Sequence, residues 1–173
     1  VQIMRELFET DGIRGEANVH PMTLEVAMKL GQALAIYFAD GDVPPRIVIG
    51  KDPRRSSYIF EFAVAAGACA MGASTFQLGP LPTPATAFLT ISMRAQVGVM
   101  ISASHNAYSD NGIKIFGGDG YKLPDEVEEE IEAIMKDEKR LAIRPTGANI
   151  GRAYRIEDAA GRYIAFAKDT FPG

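Results

Sequence analysis

Cysteine is almost absent from this chain, which has one, Cys69, among 173 residues. Cys69 lies within an alanine-rich stretch, so we interpret it as a buried, unreactive thiol of a protein from a reducing compartment. A catalytic cysteine is therefore not expected. A basic surface is also lacking, because the formal net charge is −4. Nucleic-acid-binding surfaces are normally basic, so we expect no nucleic-acid partner.

Long hydrophobic runs are missing as well. The most apolar stretch, residues 62–73, is short and interrupted by glycine, so no membrane partner is expected. Residues 1–6 lack the basic and then apolar pattern of a signal peptide, which favours a cytoplasmic protein. The hydrophobic content of 47% and the charged content of 23% are ordinary for a globular protein with a full core.

Helix-like and strand-like segments alternate over the first hundred residues. Thr23 and Thr83 are predicted helix N-caps, with Pro84 in the first turn after Thr83. The predicted segments are, in chain order, a helix from Thr23 to near Gly41, a strand over 46–50, a helix from about Ser57 to Gly72, a strand over 74–79, a helix from Thr83 and a strand over 96–102. Such alternation predicts a parallel sheet with helices on both faces.

The connection between residues 101 and 113 breaks this alternation. It is too short for a crossover helix, so the strand over residues 113–117 is expected to run antiparallel to its predecessor. We therefore predict an α/β fold, a three-layer α/β/α sandwich with a mixed four-stranded sheet. Residues 46–50 form its central strand and residues 113–117 its antiparallel edge strand. Ligands of such sheets bind outside the carboxyl ends of the parallel strands, where residues 102–106 fall.

A strongly acidic helix is predicted from residue 124 to about residue 137. Its apolar positions form a regular inner stripe of Val127, Ile131, Ile134 and Met135. The rest of its surface carries Glu126, Glu128, Glu129, Glu130 and Glu132. Metal binding and a solvated outer face are the two interpretations of these glutamates, and the regular stripe favours the second. Beyond this helix, residues 144–149 are predicted as a linker and residues 158–171 as a further helix.

The loop between the last two predicted strands carries most of the chemistry. It places Ser104 beside His105, and Lys114 follows on the next strand. A phosphoryl-carrying site needs an acceptor oxygen, donors to the phosphate and a titratable partner, and these three side chains supply such groups. The alternative is a surface hairpin loop without function, because short motifs of this kind often arise by chance.

Four polar loops, taken together, are more specific than any one of them. They cover residues 10–15, 50–57, 79–84 and 101–114. Taken singly, Lys51, Arg54 and Arg55 of the second loop would be interpreted as solvated charges. In this order and spacing, however, the loops resemble the first domain of the α-D-phosphohexomutase family. The resemblance runs from about Leu7 to the end of the chain and is carried by FETDGIRG at residues 8–15, ISASHN at 101–106 and DNGIK at 110–114.

This resemblance implies a domain division and a reaction. Residues 1–150 would be the first domain, which carries the phosphoserine loop, and residues 151–173 the linker and the start of a second domain. The family's enzymes have four domains, so the chain by itself is expected to be inactive. Ser104 would be the phosphoserine that gives its phosphate to glucosamine 6-phosphate. The resulting 1,6-bisphosphate would return its 6-phosphate to Ser104 and leave glucosamine 1-phosphate, for amino-sugar nucleotide and cell-wall precursor synthesis.

Three alternative functions stay open. The Ile-Ser form of the loop is similar to that of family members that act on glucosamine phosphates, whereas members acting on mannose or glucose phosphates more often have threonine. Mannose and glucose phosphates are therefore the alternative substrates. For the chain in isolation, a non-catalytic phosphosugar-binding module is the second alternative. The third is a serine hydrolase using Ser104 and His105, which is disfavoured because no Gly-x-Ser-x-Gly elbow is present.

The resemblance also assigns catalytic roles to the residues near Ser104. Lys114 matches the family's general acid or base, and the alternative is a solvated lysine at a strand edge. His105 and Arg14 match residues that neighbour the phosphoserine and its incoming substrate. The alternative for His105 is a hydrogen bond to the loop backbone. Ser102 is expected to shape the loop rather than to carry phosphate.

A metal, an activator and a small-molecule partner follow from the same resemblance. Mg²⁺ would bind an oxygen of the phosphate on Ser104 together with three aspartates of the second domain, since this hard cation prefers oxygen ligands. Glucose- or glucosamine-1,6-bisphosphate would be the activator, and a phosphosugar would be the partner. Dimers are common in the family, so a homodimer is a further expectation.

Overall fold

The computed structural model describes residues 6–171, which form six strands and six α-helices. The strands are β1 (Ile13–Glu16), β2 (Arg46–Lys51), β3 (Ser74–Pro80), β4 (Val97–Ile101), β5 (Asp110–Gly117) and β6 (Ala153–Arg155). The helices are α1 (Leu24–Tyr37), α2 (Arg55–Ala70), α3 (Thr83–Ser92), α4 (Asp125–Lys136), α5 (Glu138–Ala142) and α6 (Ala159–Asp169). No helix in this part of the chain is long and apolar enough to cross a membrane.

The strands form one mixed sheet in the order β1-β5-β4-β2-β3-β6. Strands β4, β2, β3 and β6 are parallel, and β5 runs antiparallel to β4, as the short connection predicts. The α/β class and the mixed sheet are therefore confirmed. The prediction of four strands is wrong. The placement of residues 113–117 at the edge is also wrong, because β1 pairs along the outer side of β5.

The two unpredicted strands lie at the two edges of the sheet. Strand β1 has four residues, of which Ile13 is the one apolar side chain, so it has no alternating apolar pattern. Gly12, at φ +86°, lies so close to β5 that a Cβ there would be 2.1 Å from the Ile113 carbonyl oxygen. Strand β6 has three residues, all exposed. Both strands are thus specified by the strands they pair with rather than by their local sequence.

The helices cover both faces of the sheet, as a three-layer sandwich requires. Helices α1, α2 and α4 pack over one face, where the larger apolar cluster includes Leu30, Ile47 and Phe60. Helices α3 and α6 pack over the opposite face, where Val48 and Leu89 are buried. Neighbouring residues Ile47 and Val48 of β2 thus enter different layers, because successive side chains of a strand alternate between its faces.

One of the two predicted helix caps is confirmed and the other is displaced. Thr23 caps α1, since its Oγ1 accepts a hydrogen bond of 3.3 Å from the Val26 N–H. Thr83 is instead the first residue of α3, and Pro82 is the capping residue. The Pro82 carbonyl already accepts the Ala85 N–H at 2.9 Å, so the helical turn begins one residue earlier than predicted.

The carboxyl ends of β2, β3 and β4 meet at one edge of the sheet. Lys51 at the end of β2 lies beside Pro80 of β3 and Ile101 of β4. Backbone hydrogen bonds of 3.0 Å then tie the following loops together, from the Leu81 N–H to the Lys51 carbonyl and from the Asp52 N–H to the Ile101 carbonyl. The loop with Ser104 therefore starts next to two other loops at the ligand-binding edge expected for this kind of sheet.

Helix α4 corrects the prediction of a fully solvated acidic face. Glu130 is exposed as predicted, but Glu128 and Glu132 are only 1% and 3% exposed. A buried carboxylate needs a charged or hydrogen-bonding partner. Lys122 supplies one to Glu128 at 3.2 Å, and Lys136 supplies one to Glu132 at 3.0 Å. The two glutamates are thus buried because they are paired.

Glu132 also holds the first residues of the described chain in place. Its carboxylate oxygens accept the backbone N–H groups of Glu6, Leu7 and Phe8 at 2.9, 3.2 and 3.5 Å. Burial raises the pKa of Glu132. The hydrogen bonds from the Glu6 N–H, the Lys136 ammonium and the Leu7 N–H lower it, and together they outweigh the effect of burial. The net effect holds the pKa of Glu132 below its ordinary value, so this carboxylate stabilises the fold in its ionised form.

Replacing Glu132 by glutamine is expected to destabilise the chain by about 1–2 kcal/mol at neutral pH, because bonds to a charged acceptor are lost. Since the folded-state pKa lies below the unfolded value near 4.5, the stabilisation is present above that value and is lost as the pH falls through the folded pKa. Urea unfolding at pH 7 and about pH 3 measures the effect. The difference in the free energy of unfolding between the parent and Glu132→Gln should disappear at about pH 3. A difference that persists at this pH contradicts the role of the ionised Glu132 carboxylate. Glu130→Gln, exposed on the same helix, should match the parent at both pH values.

Cys69 is half-buried rather than buried, which corrects the prediction for this residue. It lies in the last turn of α2, and its Sγ is 3.6 Å from Thr75 Oγ1. The alanine-rich sequence around it gave no sign that the helix end reaches the surface there.

Candidate functional site

A pocket of about 610 Å³ opens at the carboxyl ends of β2, β3 and β4. Small-molecule sites commonly have this size. Its lining residues come from the three strand ends and the loops that follow them, and are Asp52, Pro53, Pro80, Leu81, Pro82, Thr83, Met100, Ser102, Ser104 and His105. The loop with Ser104 and His105 therefore borders a cavity large enough for a sugar phosphate.

Ser104 is exposed and has a φ of +56°, in the left-handed region that residues other than glycine rarely adopt. Its N–H donates to Ser102 Oγ at 3.0 Å, and its own Oγ lies 3.4 Å from His105 Nδ1. The Asn106 N–H donates to the Ala103 carbonyl at 3.1 Å and closes a turn around Ser104. A strained conformation of this kind persists only where its surroundings hold it, and such residues cluster at functional sites.

Ser102 has the contacts of a residue that shapes the loop. It is 6% exposed, its hydroxyl accepts the Ser104 N–H, and the same hydroxyl helps to lower the pKa of Asp52. Its own N–H donates to the Gly112 carbonyl at 2.9 Å. The Ser102 hydroxyl thus binds the loop backbone, which agrees with the role predicted for it.

His105 is exposed, and its ring contacts the Ser104 hydroxyl rather than the loop backbone. The alternative of a backbone hydrogen bond is therefore not what the structure has. Within residues 6–171, no carboxylate contacts the His105 ring. A serine hydrolase needs an acidic group that orients the histidine, so the described site lacks the third member of such a triad.

Arg14 and Lys114 meet at one carboxylate. Asp11 Oδ2 lies 2.7 Å from Arg14 Nη2 and 2.8 Å from Lys114 Nζ. Lys114 is not a solvated edge lysine, because its side chain is 16% exposed on β5, an interior strand. Burial raises the pKa of Asp11, but the hydrogen bonds and charges of Lys114 and Arg14 outweigh it and hold the pKa below its ordinary value. The ionised Asp11 therefore fixes both cations.

The two groups of predicted site residues lie at the same end of the sheet without touching. Among residues 6–171, no hydrogen bond or ion pair joins Ser104 to Arg14 or Lys114. Gly112 lies between the groups, since a Cβ there would be 2.9 Å from the Ser102 carbonyl oxygen and 3.3 Å from Arg14 Cγ. Because Gly112 has no side chain, the Arg14 side chain can lie next to the end of β4, where the Ser104 loop begins.

Arg54 and Asp52 contact the loop, and sequence reasoning missed them. Arg54 Nη2 donates to the carbonyls of Ser104 and Asn106 at 3.2 and 2.9 Å, while its Nη1 pairs with Asp52. The interpretation of Arg54 as a solvated charge is therefore wrong. Asp52 also accepts the Arg54 N–H at 3.0 Å and the Ser57 hydroxyl at 2.6 Å. Burial raises the pKa of Asp52, but the Ser57 hydroxyl, the Arg54 N–H and the neighbouring Ser102 hydroxyl outweigh burial and lower the pKa, so Asp52 is ionised.

Lys51 is not solvated either. Its side chain is 1% exposed and its Nζ lies 2.6 Å from Glu61 Oε2, with the Tyr58 ring centroid 3.9 Å away. The other oxygen of Glu61, Oε1, is buried and has no hydrogen-bond partner among residues 6–171. Of the three basic residues in this loop, only Arg55 is exposed.

A metal ion would have few ligands among these residues. In residues 6–171, no group of three or more His, Cys, Asp or Glu side chains is placed to hold a metal ion. The carboxylates nearest Ser104 and Lys114, Asp52 and Asp11, are engaged by neighbouring basic and hydroxyl groups. The described residues therefore do not form a Mg²⁺ site by themselves.

Comparison with known families gives a match over most of the chain. Residues 5–142 match the family described as phosphoglucomutase/phosphomannomutase, alpha/beta/alpha domain I. Among curated proteins, the phosphoglucosamine mutases of Desulfotalea psychrophila and Geobacter metallireducens are 57% and 56% identical over 169 residues. Each match covers 98% of this chain and 38% of the relative, so the chain spans about 38% of the length of the curated relatives it matches.

Solved structures give the same fold. A putative phosphomannomutase from Thermus thermophilus matches with a TM-score of 0.74 and 25% identity, over 94% of this chain and 35% of that chain. A phosphoglucomutase/phosphomannomutase family protein from Burkholderia thailandensis matches with a TM-score of 0.72 and 24% identity, over 91% of this chain and 34% of that chain.

Proposed function

The chain belongs to the phosphoglucomutase/phosphomannomutase family, and from this premise we propose that it is part of a phosphoglucosamine mutase, which interconverts glucosamine 6-phosphate and glucosamine 1-phosphate. The relatives at 56–57% identity that carry this name support the choice of substrate. Mannose and glucose phosphates are the alternative substrates. The observation that carries the proposal is the position of Ser104, whose exposed hydroxyl borders a sugar-sized pocket.

In this proposal Ser104 carries the phosphate between two positions of the sugar. The phosphoryl group leaves Ser104 Oγ and bonds to O1 of glucosamine 6-phosphate, and the O1 proton ends on Ser104 Oγ. The 1,6-bisphosphate then gives its 6-phosphoryl group back to Ser104, while the serine proton ends on O6. Glucosamine 1-phosphate is released and the phosphoserine is restored, so atoms and charge balance over the cycle.

The neighbouring residues would supply charge and protons for this transfer. Phosphoryl transfer depends mainly on positioning and on compensation of the phosphate charge. Arg14 and Lys114, both fixed by Asp11, are the proposed cationic groups, and Lys114 is the proposed general acid or base. His105, at 3.4 Å from Ser104 Oγ, is the proposed neighbour that donates to the phosphate.

The remaining partners are proposals of the same kind. Mg²⁺ bound to the phosphate of Ser104 would supply positive charge at the transferring group, with its other ligands from outside the described residues. Glucose- or glucosamine-1,6-bisphosphate would reload Ser104 as the activator. We also propose a cytoplasmic location, a homodimer, and a domain division in which residues 1–150 form the first domain and residues 151–173 lead into the second.

The test compares the full-length protein that contains this chain with the 173-residue chain alone. The full-length protein should convert glucosamine 6-phosphate faster than mannose or glucose 6-phosphate. The chain alone should be inactive, because it spans about 38% of its relatives and its described residues hold no metal cluster of their own. Measurable turnover by the chain alone, or a preference of the full-length protein for another hexose phosphate, would contradict the proposal.

A further inference from the structure

Two backbone carbonyls of the Ser104 loop are held by a side chain from a different loop. The Arg54 guanidinium donates to the carbonyl of Ser104 at 3.2 Å and to that of Asn106 at 2.9 Å, so its two bonds bracket His105. Both bonds come from Nη2, which has two hydrogens to give. Arg54 therefore joins the loop after β2 to the loop after β4 at the residue in the left-handed conformation.

Asp52 holds this guanidinium in turn. It pairs with Arg54 Nη1 and accepts the Arg54 N–H, so both ends of the arginine are fixed. The side chains of Arg54 and Asp52 are 11% and 15% exposed. Asp52 also accepts the hydroxyl of Ser57, which Asn111 Nδ2 contacts at 2.9 Å from β5. The arginine is thus part of a network anchored in α2 and β5, not a mobile surface side chain.

Ser104 is restrained at both its N–H and its carbonyl. Its N–H is bound by the Ser102 hydroxyl, and its carbonyl is bound by Arg54, which Asp52 holds in turn. A serine at φ +56° needs such restraint, because the left-handed region is unfavourable for residues with a Cβ. The restraint on the carbonyl leads back to the carboxylate of Asp52.

We propose that Arg54, held by Asp52, is a positioning residue for the phosphate-carrying serine: it fixes the carbonyls on either side of His105 and thereby keeps Ser104 in the conformation that presents its hydroxyl to the pocket. This inference rests on the proposed function, in which Ser104 is the carrier. Arg54 acts on the reaction through the backbone of the loop. A lysine would not replace it, because an ammonium group lacks the planar fork that reaches Asp52 and two carbonyls together.

The test uses the full-length protein with Arg54→Ala, Arg54→Lys and the matched control Arg55→Ala. Arg55 is the adjacent arginine and is exposed. For Arg54→Ala we expect kcat to fall about 100-fold, because small misplacements of a reacting group have effects of that size. KM should stay within about threefold, and the rate at which glucosamine 1,6-bisphosphate loads phosphate onto Ser104 should fall with kcat. Arg54→Lys should recover little of the lost kcat, and Arg55→Ala should have the kcat of the parent.

Hydrogen exchange of residues 102–108 gives a readout that does not depend on turnover. Exchange there should accelerate in Arg54→Ala and not in Arg55→Ala. If Arg54→Ala does not fold, Arg54→Gln takes its place with the same expectation, since it keeps one amide donor without the fork. An unchanged kcat in Arg54→Ala overturns the proposal. A change confined to KM also overturns it, because Arg54 would then be a substrate ligand. Full kcat in Arg54→Lys overturns it as well, because the positive charge alone would then explain the role of Arg54. Failure of the proposed function can be distinguished from failure of the Arg54 proposal, because the parent itself would then show no turnover or no phosphate on Ser104.

Discussion

In the full-length protein, Ser104→Ala should abolish turnover, whereas Ser102→Ala should keep about a tenth of it. Without the Ser104 hydroxyl, the phosphate has no covalent carrier in the proposed cycle. The Ser102 hydroxyl instead accepts a hydrogen bond from the Ser104 N–H. Losing a supporting hydroxyl of this kind costs roughly 1–2 kcal/mol, which corresponds to about tenfold in rate.

Turnover assays and mapping of phosphorylated peptides by mass spectrometry measure both variants. The parent and Ser102→Ala should carry phosphate on residue 104, and Ser104→Ala should carry none on this loop. Phosphate on Ser102, or turnover by Ser104→Ala, would contradict the assignment of the carrier. Because Ser102→Ala removes one bond to the Ser104 backbone and keeps the Ser104 hydroxyl, it also serves as the control for a disturbed loop that still has its carrier.

The parts of the fold that the sequence predicts are those with a strong local signal. Strand β4 and residues 47–50 of β2 are continuous apolar runs, and the length of the connection from β4 to β5 is enough to predict the antiparallel pairing of those two strands. Strand β1 has no such signal. It exists because Ile13 pairs with Ile113, a hundred residues away, and glycine at position 12 allows the close approach. Pairing between distant segments is not visible in a local pattern.

The same distinction applies to the site. The polar loop with Ser104, His105 and Lys114 could be singled out because these residues lie close together in the sequence. The roles of Arg54 and Asp52 depend on contacts across about fifty residues, and a run of basic residues is usually solvated. The position of Arg54 and Asp52 in the sequence nevertheless indicates that they lie near the Ser104 loop. Both residues follow a predicted parallel strand next to β4, and the carboxyl ends of neighbouring parallel strands meet at one edge.

Two glycines let α1 and α2 approach closely beneath the sheet. A Cβ at Gly31 would lie 2.1 Å from the Val64 carbonyl oxygen, and one at Gly67 would lie 2.1 Å from the Met28 carbonyl oxygen. Both obstacles are backbone atoms, which cannot move aside as a flexible side chain can. The two helices must therefore separate if either glycine gains a methyl group.

Gly67→Ala is expected to destabilise the chain by about 2–3 kcal/mol, because the added methyl group overpacks the contact between α1 and α2. A loss of stability would be informative, because replacing glycine by alanine inside an unobstructed helix normally raises the stability by about 1 kcal/mol. Gly161→Ala in α6 is the matched control, because a Cβ there meets no atom of the described part of the chain within 4 Å, and it should stabilise the chain slightly. Urea unfolding of the parent and both variants measures the two effects. If Gly67→Ala is as stable as Gly161→Ala, α1 and α2 do not contact each other closely at Gly67. The packing of these two helices against β2, which precedes the loop with Arg54, would then differ from the packing described above.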